Sequence, residues 1–78
     1  MNRAIADIAA EISQTWKPVH YAAKPYLAAM HSLGTLSDSY GADDARGIVL
    51  YFLSNARTWK GDDARRIKAE LNRMLKGW

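Results

Sequence analysis

The stretch Ile48-Val49-Leu50-Tyr51-Phe52-Leu53 is the longest unbroken apolar run in this chain of 78 residues. A run of that length fits a buried strand or a segment of buried helix, and periodicity alone does not separate the two. The flanks do. Asp43 and Asp44 upstream place negative charge where the dipole of a starting helix favours it. Downstream, Ser54-Asn55-Ala56-Arg57 continues without a breaker until Gly61. The segment therefore reads as a helix over residues 43–57. At about 100° per residue, Ala45, Ile48, Val49, Phe52, Leu53 and Ala56 form one wide face. Leu50 and Tyr51 fall outside it. A helix that is apolar on more than one side is contacted from more than one side. Gly47 and Ser54 share a narrow stripe where a second helix could approach closely, unless Gly47 is simply a tolerated helix glycine.

Working outward, Ile5, Ile8, Ala9, Ile12 and Trp16 follow helical spacing, with Asp7, Glu11 and Gln14 opposite. This predicts a first helix over residues 3–16, ended by Lys17-Pro18 because a residue before proline is pushed out of the helical region. Pro18 is placed to open a short helical turn. Pro25 must start a second helix or kink a longer one, and a break near Lys24 is expected. The helix from Pro25 would show Tyr26, Ala29, Met30 and Leu33 on one face, with Gly34 as its stop. Residues 35–41 are small, polar and turn-forming. They form the candidate mobile loop, pinned to the core by Leu36 and Tyr40. Trp59, in the next link, is expected to pack under a corner. The last helix, over residues 62–76, has the cleanest stripe: Ala64, Ile67, Leu71, Met74 and Leu75, each worth roughly 1.5–3 kcal/mol when buried. Trp78 extends that direction. The fold class is all-α, a compact bundle of four main helices with a proline-broken second helix.

Size and composition narrow the function classes. A chain of this length makes one domain, residues 1–78, with a modest core. There is no cysteine, hence neither a disulfide nor a thiolate-metal site. Asp7 and Glu11 interrupt any signal-peptide apolar core, and no stretch approaches the ~20 apolar residues of a membrane span. A cytoplasmic protein outside the membrane is expected.

The net charge of +3 is concentrated at one end: residues 57–78 hold seven basic and three acidic residues. On a helical wheel Arg65, Arg66, Arg73 and Lys76 fall within about 100°, around Ala69 and opposite the apolar stripe. Such a ribbon is the electrostatic footprint of phosphate binding, with Lys60 and Arg57 as auxiliaries. It is equally the composition of a solvated helix back laced by Arg66–Glu70 and Glu70–Arg73 pairs, and no base-reading motif accompanies it. A local echo, Asp43-Asp44-Ala45-Arg46-x-Ile48 and Asp62-Asp63-Ala64-Arg65-x-Ile67, is explained by shared helix-start chemistry and is too little for a repeat architecture.

Catalytic constellations are missing. His20 and His31 would lie roughly 16 Å apart along an unbroken helix, and no further ligand completes a metal site. The adjacent aspartates of each pair point about 100° apart on a helix and make poor acid/base couples. Nothing marks a nucleophile, and there is no phosphate-cradling glycine loop. No cofactor and no metal are expected, and the chain reads as a non-enzyme. Trp16 and Tyr26 fit apolar stripes and are assigned to packing. Leu50, Tyr51 and Trp78 are the candidate partner-binding residues, and self-association would cover them.

The segments Tyr21-Ala22-Ala23-Lys24-Pro25-Tyr26-Leu27-Ala28-Ala29-Met30, Tyr40-Gly41-Ala42-Asp43, Ile48-Val49-Leu50-Tyr51-Phe52-Leu53-Ser54-Asn55-Ala56 and Ile67-Lys68-Ala69-Glu70-Leu71 resemble small phage- or prophage-encoded bacterial proteins of uncharacterised function. The resemblance covers most of the chain and brings no catalytic residue with it. It implies a small accessory or assembly factor in a bacterial cytoplasm. The expected function is thus a non-enzymatic binding or assembly protein acting through protein–protein contacts. The alternative is a nucleic-acid-binding protein that places its basic C-terminal helix on phosphates.

Overall fold

A computed structural model describes residues 3–77. They are mostly helical. Helix α1 spans Ile5–Thr15, α2 Lys24–Met30, α3 Ala45–Ser54 and α4 Asp62–Lys76. Between α2 and α3 lies an antiparallel ladder of two short strands, β1 Ser39–Tyr40 and β2 Asp43–Asp44. The all-α expectation is corrected at this point. Strands of two residues carry no readable alternation, and acidic residues before an apolar run look like the start of a helix. Gly41 supplies the positive φ of 63° that the two-residue hairpin turn requires.

The ladder also moves the start of α3. Asp43 and Asp44 are not in its first turn. Asp44 is the N-cap, and its carboxylate accepts the Gly47 N–H at 2.7 Å. Of the two readings of Gly47, close approach of a second helix is not what the structure shows. Among the described residues, a Cβ there would meet only the Asp44 side chain, at 2.9 Å from Oδ1, and no second helix comes within 4 Å of it.

Helix α1 has no side-chain cap. Its first orphan N–H groups are satisfied by main-chain carbonyls instead: Ile5 donates to Gly34 at 2.9 Å and Ala6 to Leu33 at 2.8 Å. The segment after α2 is thereby tied to the start of the chain. Asp38 tightens it further, accepting the N–H groups of Gly34 at 2.7 Å and Thr35 at 3.0 Å. These bonds, Thr35 first, hold the Asp38 carboxyl below the usual aspartate range. The expected mobile loop is a hydrogen-bonded turn.

Pro25 sits in the first turn of α2, where its missing N–H costs nothing. Residues 21–23 before it form a turn, so no longer helix exists for Pro25 to break. Pro18 opens no helix: residues 16–18 are bends and 19–20 have no regular structure. Of the face expected on α2, Ala29, Met30 and the following Leu33 are buried, joined by Leu27, while Tyr26 is only half-buried.

The core joins all four helices. α1 contributes Ile5, Ile8, Ala9 and Ile12; α3 contributes Ala45, Ile48, Val49 and Phe52; α4 contributes Ala64, Ile67, Leu71, Met74 and Leu75. α1 packs against α2 and α4, and α3 packs against α2 and α4. Trp59 lies under the α3–α4 corner, stacked on Trp16 at 5.3 Å with 12° between the ring planes. Phe52 meets Trp16 edge-on at 6.2 Å. Among the described residues no buried side-chain polar atom lacks a partner.

Candidate functional site

The basic ribbon of α4 is divided by ion pairs. Arg66 binds Glu11 at 2.7 Å and Asp63 at 3.0 Å. Arg3 binds Glu11 at 2.9 Å and forms a two-pronged contact with Glu70 at 2.7 and 2.9 Å. The result is one chain of charges, Glu70–Arg3–Glu11–Arg66–Asp63, across α1 and α4. The Arg66–Glu70 and Glu70–Arg73 pairs expected from helical spacing do not form. The start of α1 lies against α4 and brings Arg3 to Glu70, where the planar guanidinium grips both oxygens. Arg66 and then Arg3 hold the Glu11 carboxyl below the usual glutamate range, and Arg3 does the same for Glu70.

The remaining candidates are exposed. Arg65 makes a loose 3.4 Å pair with Asp62. Arg73, Lys76, Lys60 and Arg57 have no acidic partner among the described residues. Lys68 turns inward: its ammonium donates to the Trp59 carbonyl at 2.6 Å and lies 5.8 Å from the Trp59 ring centre. Burial, with Lys60 nearby, pushes its pKa down. The ribbon therefore keeps four or five separate exposed cations, while Arg66 is tied into the ion-pair chain.

A second surface is assembled from three elements. Pro25, Tyr26 and Ala29 of α2, Tyr40 and Asp43 of the hairpin, and Gly47, Ile48 and Tyr51 of α3 line an open groove of about 300 Å³. Tyr26 and Tyr51 stack at 5.6 Å with 22° between their planes. Tyr40 and Asp43 are directly opposite across the ladder, hence on one face of it. Tyr51 is 60% exposed and Tyr40 48%. Leu50, 41% exposed, stands beside the groove without lining it. Trp78 lies outside the described residues. Tyr26 packs against the core as its stripe predicts and also lines the groove, whereas Tyr40, expected to pin its loop to the core, is exposed. The available signal was the Tyr40-Gly41-Ala42-Asp43 segment, whose glycine marks a hairpin turn and sets the residues on either side of it across from each other.

Other polar groups serve locally. His20 Nδ1 accepts the Ala22 N–H at 3.1 Å. His31 Nε2 lies 3.2 Å from Ser13 Oγ, with no carboxylate bonded to the imidazole among the described residues. Within the same residues no cluster of three histidines or acids could hold a metal ion, and no helix is long and apolar enough to cross a membrane. Compared with known protein families, curated proteins and solved structures, the chain matches none of them.

Proposed function

We propose that this protein is a non-enzymatic binding module of the small accessory or assembly type, and that it engages a partner protein through the tyrosine groove between α2, the hairpin and α3. The observation that carries this reading is the grouping of Tyr26, Tyr40 and Tyr51 around one open groove, with Leu50 beside it. Tyrosine provides large, rigid contact area at low entropic cost and is enriched where proteins meet. The phage- or prophage-type context in a bacterial cytoplasm belongs to the same proposal, and a second copy of the chain is one candidate partner.

The test is site-specific photo-crosslinking in a bacterial host. A crosslinker at position 51 should give a discrete adduct that disappears when Tyr26 and Tyr40 are both changed to alanine. One at Gln14, exposed on α1, should give none. Equal labelling at both positions would refute the groove. Sedimentation of the purified protein across a concentration series identifies self-association.

A second reading rests on the exposed cations. Arg73, Lys76, Lys60 and Arg57, which have no acidic partner among the described residues, and Arg65, only loosely paired with Asp62, would meet phosphates. Duplex DNA binding should then weaken steeply with salt, in proportion to the phosphates neutralised. Reversal of Arg73 and Lys76 to glutamate should weaken binding to all sequences about equally. Absence of binding at low salt would leave these residues as a solvated face.

A further inference from the structure

The groove has a chemical sign. Asp43 is its one ionisable acidic lining residue, and no lysine or arginine lines it. The neighbouring acids are already engaged: Asp38 holds the Gly34–Thr35 turn and Asp44 caps α3. Asp43, exposed beside Tyr40, makes no hydrogen bond or ion pair through its side chain among the described residues. Lys24 and Arg46, the cations nearest in sequence, stay outside the lining.

From this arrangement we infer that the groove receives an arginine side chain of a partner polypeptide, its guanidinium laid on a tyrosine face and its N–H fork on the Asp43 carboxylate. The inference rests on the protein-docking reading above and adds the chemistry of the docked residue. Tyr26 and Tyr51 stack too closely to admit a group between them. The cation therefore sits on an outer aromatic face toward Tyr40, where the ring quadrupole attracts it. A planar guanidinium satisfies a flat ring and a two-oxygen acceptor together, which a compact ammonium does not. An anionic occupant would face Asp43 without a compensating cation.

The probe is N-acetyl-Gly-Arg-Gly-amide, titrated into the full chain labelled with 15N, with lysine and norleucine tripeptides alongside. Amide shifts should concentrate at Tyr40, Asp43, Gly47 and Tyr51, larger for arginine than for lysine and absent for norleucine. Asp43→Asn keeps the side-chain shape and should weaken arginine binding roughly fivefold, equivalent to about 1 kcal/mol at 25 °C. Tyr40→Leu should weaken it as well, with the unfolding midpoint of both variants unchanged. An equal response to norleucine, a response centred on Asp62 and Asp63, or full binding by Asp43→Asn would each overturn the inference. If the arginine probe fails while the position-51 crosslink persists, the groove still docks protein and only the cationic occupant is wrong. If both fail, the docking reading falls too.

Discussion

Two aromatic clusters lean on α3 from adjacent residues. Phe52 joins Trp16 and Trp59 in the core, while Tyr51, about 100° around the helix, joins Tyr26 at the surface. Both clusters contain a near-parallel stacked pair, at 5.3 Å for the tryptophans and 5.6 Å for the tyrosines. They differ in cover. The Trp16–Trp59 pair is closed by α1, by the α3–α4 link and by the Lys68 stem and ammonium. The Tyr26–Tyr51 pair has only its Tyr26 side against the core, and Tyr51 stays 60% exposed beside an open groove. Equal ring geometry thus means stability in one place and an available surface in the other, and burial rather than stacking decides which.

The sharpest way to break this comparison is to truncate one ring from each pair. Trp59→Ala should cost about 3–5 kcal/mol, the range for emptying a large aromatic from a core that collapses only partly. It also strips the Lys68 ammonium of its aromatic neighbour. In a small domain that loss leaves little folded protein. Tyr51→Ala should cost under about 1 kcal/mol, because much of its surface is already in water. Urea denaturation of the two variants measures both. Similar losses would mean that the tyrosine pair is a structural element, and the docking reading would lose its main support.

A smaller effect is expected from the link between the hairpin and α3. Asp44→Ala removes the cap on Gly47 and should cost about 1 kcal/mol. Faster amide exchange should appear in the hairpin and the first turn of α3, on the tyrosine side, and not around Trp16. The same acid in the echoed motif serves differently. Asp62-Asp63-Ala64-Arg65 lies inside α4, with Asp62 paired to Arg65 and Asp63 to Arg66. Asp63→Ala should therefore change stability less than Asp44→Ala. Equal losses would erase the distinction.

That echo marks where sequence reading stops. In both copies the alanine and the isoleucine face the core, as helical spacing requires. The stripes of α1 and α4, and the face of α3 apart from half-buried Leu53, were legible for the same reason: a period within one element needs no knowledge of its neighbours. The start of α4 at Asp62 was legible as well; the start of α3 was not. Pairing of residues 43–44 with 39–40 overrides the local preference of the aspartates, and a pairing is a property of two segments. Arg3 and Glu70 are 67 positions apart, so no local rule connects them. The groove has the same character. Tyr51 was identifiable from its own helix, but Tyr26, Tyr40 and Asp43 reach it from two other elements. A surface assembled from three segments leaves no periodic trace in any one of them.

The smallest effect separates the two sides of the molecule by pH. Ion pairs join α1 and the residues before it to α4, and no ion pair joins α2, the hairpin and α3 among the described residues. Glu11 and Glu70 have folded-state pKa values held below the ordinary glutamate value of 4.5 by Arg66 and Arg3. A depressed carboxyl binds its proton more weakly when folded. Its contribution is therefore fully present above the unfolded value and is lost as pH falls through the folded one. Stability should be flat near neutrality and decline below about pH 4.5. The loss should be modest, because these pairs are partly open to water and screened by salt. Arg3→Gln should flatten much of that decline, since Arg3 touches both glutamates, while Asp43→Asn on the groove side should leave it unchanged. Thermal midpoints from pH 3 to 7 for the three proteins measure it. A decline that survives Arg3→Gln undiminished would place the acid-sensitive contacts elsewhere, with Asp38 and its Gly34–Thr35 turn the next to examine, because its carboxyl is depressed by main-chain N–H groups that no arginine substitution touches.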